Sequence, residues 1–250
     1  MLRVMTFDYS GSRYLMPDRI TVAHRDAWKR LAQPGTWWTG AERIAIVQET
    51  RNAEDCALCS ERRDALSAPS VAGAHASSTE LPPAAIEAIH KIVTDPGRLS
   101  REWLDGLLAE GLSDAGYVEV VGVLTTVISI DDVHRGLGLD LEPLPAPEAR
   151  EPTRQRPTGA TDEGSWVETV PADALDPEDA EIYGGRPFAA NVIRALSLVP
   201  DAVRMLEVLH GAHYLSFDEM QMMTGLERTL SRPQLELVAA RVSAVNECFY

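Results

Sequence analysis

Residues 113–138 read SDAGYVEVVGVLTTVISIDDVHRGLG. The Val, Ile and Thr in this run taken alone favour strands. Its length exceeds that of an ordinary strand. It opens on Ser113, a natural helix cap, and closes on Gly138, a natural helix stop. The run is therefore expected to be one buried helix, apolar on most sides. A chain built round such a helix has to bring other apolar faces against it, which points to an all-α fold.

The remaining segments agree. Residues 17–34 contain TVAHRDAWKRLAQPG, a short helix closed by Pro34 and Gly35. Residues 40–66 read as helix, with Ile44, Val47 and Arg51 on one side. Residues 83–94, PAAIEAIHKIVT, start with proline and stop before Asp-Pro-Gly. Residues 100–110 start at Ser100 and are closed by Gly111. From 143 to 188 proline and acidic residues dominate, which predicts an extended linker, the most exposed and least regular stretch of the chain. Helical pattern returns over 191–215 and again from Ser231 to the end of the chain.

Of the 250 residues, 45% are hydrophobic and 24% charged, enough apolar material for a core, and the net charge is -15. An acidic chain without a basic stripe repels nucleic acid and anionic membranes, so neither is an expected partner. No stretch reaches the ~18 consecutive apolar residues of a membrane span. The first residues lack an apolar h-region, so no signal peptide is expected, and three cysteines are too few for a disulfide framework. A cytoplasmic location is the expectation. There is no phosphate-binding glycine loop, and no organic cofactor is expected.

Cys56 and Cys59 stand two residues apart. On a helix this puts both sulfurs on one side, about one turn apart, within reach of disulfide geometry. With Asp55 as cap, Cys56 falls in the first turn, where unpaired N–H groups favour a thiolate. Arg51, Arg62 and Arg63 would add to this, while Glu54 and Glu61 oppose it. The pair is open to three readings: a redox dithiol, inert packing, or half a zinc site. Zinc needs two more ligands. The remaining cysteine is Cys248, and His24, His75, His90, His134, His210 and His213 form no close metal motif, although the last two are three apart. No metal is expected on this pattern. His134, beside Asp131 and Asp132, fits a surface helix end, and Trp37 and Trp38 fit packing.

A weak internal repeat links AERIAIVQETRNAEDC with RPQLELVAARVSAVNEC, each running to a cysteine. With GAERIAIVQETRNAEDCALCSERRDALS, YVEVVGVLTTVISIDDVHRGLGL and NVIRALSLVP, these stretches cover well over half the chain. The chain resembles the alkylhydroperoxidase D and carboxymuconolactone decarboxylase superfamily, and within it alkylhydroperoxidase-related proteins, some of them selenoproteins. That resemblance implies two helical repeats, the second truncated: 1–142, then the linker 143–188, then 189–250. The superfamily motif is Glu, eleven residues, Cys, two residues, Cys, three residues, His. Glu236 and Cys248 fit its first two positions, and the rest would lie past Tyr250. In the first repeat Cys56 and Cys59 fit, but Ile44 and Arg63 occupy the Glu and His positions, with Glu42 and Glu49 out of register. The proton relay is thus expected to be missing there.

By the same resemblance, catalytic residues would be Cys56, Cys59, Cys248 and Glu236, with Cys59 attacking, Cys56 resolving, Cys248 a resolving residue and Glu236 aiding proton transfer. On one straight helix Glu236 would stand ~18 Å from Cys248, so coupling would need a helix break near 243–246 or another subunit. The implied activity is thiol-dependent hydroperoxide reduction, with a dithiol protein as reductant and a homo-oligomeric state. A longer form reading selenocysteine at the next codon would complete the second motif. A non-catalytic helical protein acting through oligomer contacts, or a lactone decarboxylase-like lyase, are the alternatives.

Overall fold

A computed structural model describes residues 7–246 and 248. Among these the regular structure is helical: α1 (Asp18–Leu31), α2 (Gly40–Ala53), α3 (Ala57–Asp64), α4 (Pro83–Thr94), α5 (Arg101–Ala109), α6 (Asp114–Leu137), α7 (Asn191–Arg194), α8 (Pro200–His213) and α9 (Arg232–Val245). A single antiparallel bridge joins Thr161 and Thr169. The all-α expectation holds. No single described helix is long and apolar enough to cross a membrane.

The run 113–138 is the central helix α6. Ser113 caps it by accepting the Gly116 N–H, and Gly138, at φ 70°, closes it in the left-handed region. Val120, Val123, Leu124, Val127 and Ile130 are buried along its length. Each such side chain contributes roughly 1.5–3 kcal/mol on burial. α2, α4 and α8 pack round it, and α1 packs on α8. At Gly122 the helices α6 and α8 come so close that a Cβ would lie 2.8 Å from the Ala202 Cβ. α4 and α5 form over the residues expected, and Ser100 caps α5 by accepting the Trp103 N–H.

Several expectations change. Residues 40–66 form two helices: the chain leaves α2 after Ala53, and Cys56, in extended conformation, becomes the cap of α3, so Asp55 is not the cap. Residues 143–188 are irregular, but they are not the most exposed stretch. Val170, Ile182 and Tyr183 are buried, and the backbone is tied down by Glu148 N–H to Ala32 O (2.8 Å) and Arg154 N–H to Thr36 O (2.7 Å). A few apolar anchors and paired amides suffice to hold an extended chain on a helical surface, and average composition does not register them. The exposed element is instead α9, which buries none of its residues.

The helix from Ser231 ends at Val245, and Cys248 lies beyond it, exposed. The rest of the expected continuation, residues 247, 249 and 250, lies outside the described residues. α8 does not stand apart from the first 142 residues: Met205, Leu209 and Ala212 share one core with Trp28, Ile46, Ile89 and Ile130. His134, expected at a surface, is buried, and its ring stacks with His24 and packs on Phe7 and Tyr9. Asp131, one turn before it, pairs with Arg51 (2.7 Å).

Candidate functional site

The break after α2 shapes the site. Because Cys56 caps α3, Cys59 falls in that helix's first turn, and both thiols lie under the loop 65–82. They form a small buried cluster with Leu58, against Val71. α4 supplies the facing wall. Its residues 87 and 90, one turn apart, present Glu87 and His90 on the same side.

The Sγ of Cys59 lies 3.2 Å from His90 Nδ1 and 3.4 Å from His75 Nδ1, and the Sγ of Cys56 lies 3.6 Å from His75 Nδ1. Each imidazole is held on its far side by a carboxylate. His90 Nε2 meets Glu49 Oε1 at 2.7 Å, and His75 Nε2 meets Glu87 Oε2 at 2.8 Å. Glu49 also accepts from Asn52, Ser77 and Thr79 at 2.9, 2.9 and 2.7 Å, which fastens the His75 loop to α2. Glu87 accepts from Arg62 (2.9 Å) and from the Trp103 indole (3.3 Å).

Charge follows this geometry. Burial disfavours the Cys59 thiolate, but hydrogen bonds to His75, His90 and Thr94 outweigh it and bring the pKa down to about 6. Cys56 is lowered as well, its burial overcome by His75. Burial opposes a charge on His75, yet Cys59, Glu87 and Cys56 raise it to about 10. His90 is raised against its burial by Cys59 and Glu49. Glu87, despite burial, is held down at about 2 by His75 and Arg62.

A cleft of about 750 Å³ opens over the cluster and is lined by Cys59, His75, Glu87, Lys91 and Trp103 among others. Cys59 is the cysteine on that lining. The four donor atoms of Cys56, Cys59, His75 and His90 all lie within 4.8 Å of one another, so the cluster has the donors to hold a metal ion.

Two of the four sequence candidates, Cys56 and Cys59, are thus brought together. Glu236 and Cys248 are not part of this cluster. Glu236 pairs with Arg232 one turn earlier on α9, and Tyr214 also bonds to it. The thiols have imidazole and carboxylate neighbours from positions no local motif joins: Glu49 on α2, His75 in the loop and His90 on α4. The reading that the histidines make no metal motif with the cysteines fails for the same reason, because His75 and His90 are distant in sequence and adjacent in space. The clue available was Glu49, the carboxylate set aside as out of register. Arg51, expected to support the thiolate, is committed to Asp131 and to Glu142 O, and Glu54 pairs with Arg135. His210 bonds to Leu215 O, and His213 meets His24 Nε2 at 2.5 Å. Trp38 is buried and donates to Gly116 O (2.9 Å).

Comparison with protein-family models, curated proteins and solved structures gives no match for this chain.

Proposed function

We propose that this protein is a dithiol oxidoreductase that reduces hydroperoxides, with Cys59 as the attacking residue and Cys56 as the resolving one. One observation carries the reading: Cys59 is on the cleft wall, with its sulfur against two imidazoles that are each anchored on a carboxylate. A thiolate is the form that attacks the O–O bond, and an adjacent imidazolium supplies the proton the leaving oxygen needs.

In the first step the Cys59 thiolate takes the distal oxygen of ROOH, the O–O bond breaks, and ROH leaves with a proton from His75 or His90. Cys59 is then a sulfenic acid. The Cys56 thiol attacks it, water departs, and the Cys56–Cys59 disulfide remains. A dithiol protein of the reducing type returns both thiols by exchange and leaves as its own disulfide. In the finer form of this proposal the chain consists of two alkylhydroperoxidase D-like units, with the working site in the first. Support for that form is the position of the dithiol at the end of α2.

The test uses the full chain, reduced and freed of metal, with an organic hydroperoxide. The expected result is loss of two hydrogens on the peptide holding both cysteines. Cys56→Ser should stop at a sulfenic acid on Cys59 that a dimedone probe captures. Cys59→Ser should abolish consumption of the peroxide. A peptide that stays reduced while surface methionines oxidise would discard the reading.

A further inference from the structure

We infer that Cys56, Cys59, His75 and His90 form a tetrahedral zinc site. The inference goes beyond the hydroperoxide reading and does not depend on it. It begins with distance. Zn–S bonds of ~2.3 Å and Zn–N bonds of ~2.0–2.1 Å at tetrahedral angles put each sulfur about 3.5 Å from each nitrogen. Three of the four sulfur–nitrogen separations are 3.2, 3.4 and 3.6 Å, and all four donor atoms lie within 4.8 Å of one another. Four ligand atoms so gathered round one point are close to the spacing a single ion would need.

Orientation is the second observation. Both imidazoles turn Nδ1 toward the sulfurs and give Nε2 to a carboxylate, His75 to Glu87 and His90 to Glu49. A ligating histidine is commonly held this way, its outer N–H on a carboxylate, which fixes the tautomer and leaves the inner nitrogen lone pair aimed at the ion. Here the arrangement occurs twice, once on each histidine, and Glu49 is itself fixed by three further donors. Charge gives the third observation. Two thiolates balance one divalent ion, and Glu87 is matched by Arg62 at 2.9 Å. The donor set of two sulfurs and two nitrogens is the set zinc takes in closed, four-coordinate sites, with no position left for a bound water.

Such a site sits at the seam of three elements: the turn into α3, the loop 65–82, and α4. An ion there would tie the loop to the helix core. It would also hold both sulfurs, so a zinc-loaded molecule and a Cys56–Cys59 disulfide are mutually exclusive states.

The test is spectroscopic and so is independent of any turnover assay. The full chain is reduced, stripped with a chelator, and titrated anaerobically with Co²⁺ and then Zn²⁺. The expected result is one ion per chain, visible d–d bands of tetrahedral cobalt, a near-ultraviolet thiolate-to-cobalt band, and displacement by one equivalent of Zn²⁺. Cys56→Ser should remove much of the thiolate band, and His75→Asn should weaken binding while leaving the helical circular dichroism unchanged. Glu87→Gln, which touches no metal, should lower affinity by about 10–100-fold. An octahedral cobalt spectrum, or binding untouched by both Cys56→Ser and His75→Asn, would overturn the inference. So would reduced protein that takes up no zinc at micromolar concentration. A protein that binds zinc but, once reduced and freed of it, ignores hydroperoxide would sink the proposed activity and leave the metal site standing.

Discussion

Glu49 of α2 and His90 of α4 share a 2.7 Å hydrogen bond between two side chains with no exposed surface. Burial works against the Glu49 charge, but His90, Asn52, Thr79 and Ser77 outweigh it and hold its pKa below the ordinary carboxylate value. Glu49→Ala would remove the acceptor of four donors at once. It is expected to destabilise the fold by about 3–5 kcal/mol, the range for breaking a buried pair. Glu49→Gln keeps the volume and one acceptor, and should cost about 1–3 kcal/mol. Urea denaturation of the two variants checks both size and order, and equal losses would show that the charge is irrelevant.

Gly40 starts α2 in a space with no room for a side chain. A Cβ there would lie 2.4 Å from Ala32 O and 2.7 Å from Glu148 O, both backbone atoms. Gly40→Ala therefore has to displace either the end of α1 or the 143–188 segment. The expected loss is about 1–3 kcal/mol, or more, as for other overpacked sites. Gly136→Ala, which meets open space within a helix, serves as the control and should be neutral or slightly stabilising.

Arg156 joins Asp114, in the first turn of α6, to Glu168 of the 143–188 segment through bonds of 2.7 and 2.6 Å. The Arg156 hydrogen bonds, more than any opposing burial, lower the Asp114 pKa. A carboxyl held lower in the folded than in the unfolded chain stabilises at pH above the unfolded value of ~3.9, and that stability is lost as the pH falls through the folded value. Thermal melts of the wild type and Asp114→Asn should therefore differ at pH 6 and converge toward pH 2–3. The pair is partly exposed, so the difference should be ~1 kcal/mol. A gap that persists unchanged at acid pH would assign the effect to something other than this ionisation.

α9 carries Leu237, Val238, Val242 and Val245 largely exposed and buries no residue. Leu237→Ser and Val242→Ser should leave stability within about 0.5 kcal/mol, as for ordinary surface sites. Ile130→Ala, at a fully buried position of α6, should lose about 2–5 kcal/mol. Chemical denaturation at two protein concentrations gives the comparison. A large, concentration-dependent loss at Leu237 or Val242 would mean that this face is covered in solution.

Local chemistry alone determined most of the helices. Ser113 and Gly138 bound α6, Pro83 starts α4 and Ser100 caps α5, because capping and proline geometry act over a few neighbouring residues and need no distant partner. The dithiol was legible for the same reason: Cys56 and Cys59 are two residues apart. The partners of that dithiol were not legible. Glu49, His75 and His90 come from a helix, a loop and another helix, and they meet because α2 and α4 pack against each other and against α6. The motif of the resemblance looks only twelve residues before Cys56 and four after Cys59, where this chain has Ile44 and Arg63, and it says nothing of residues brought in by packing. The burial of Ile182 and Tyr183 in a proline-rich, acidic segment was hidden likewise, since it depends on the surface that α6 and α8 offer to it. Sequence determined where the chain turns and which atoms are reactive; only the packing of helices far apart in the chain decided which reactive atoms meet.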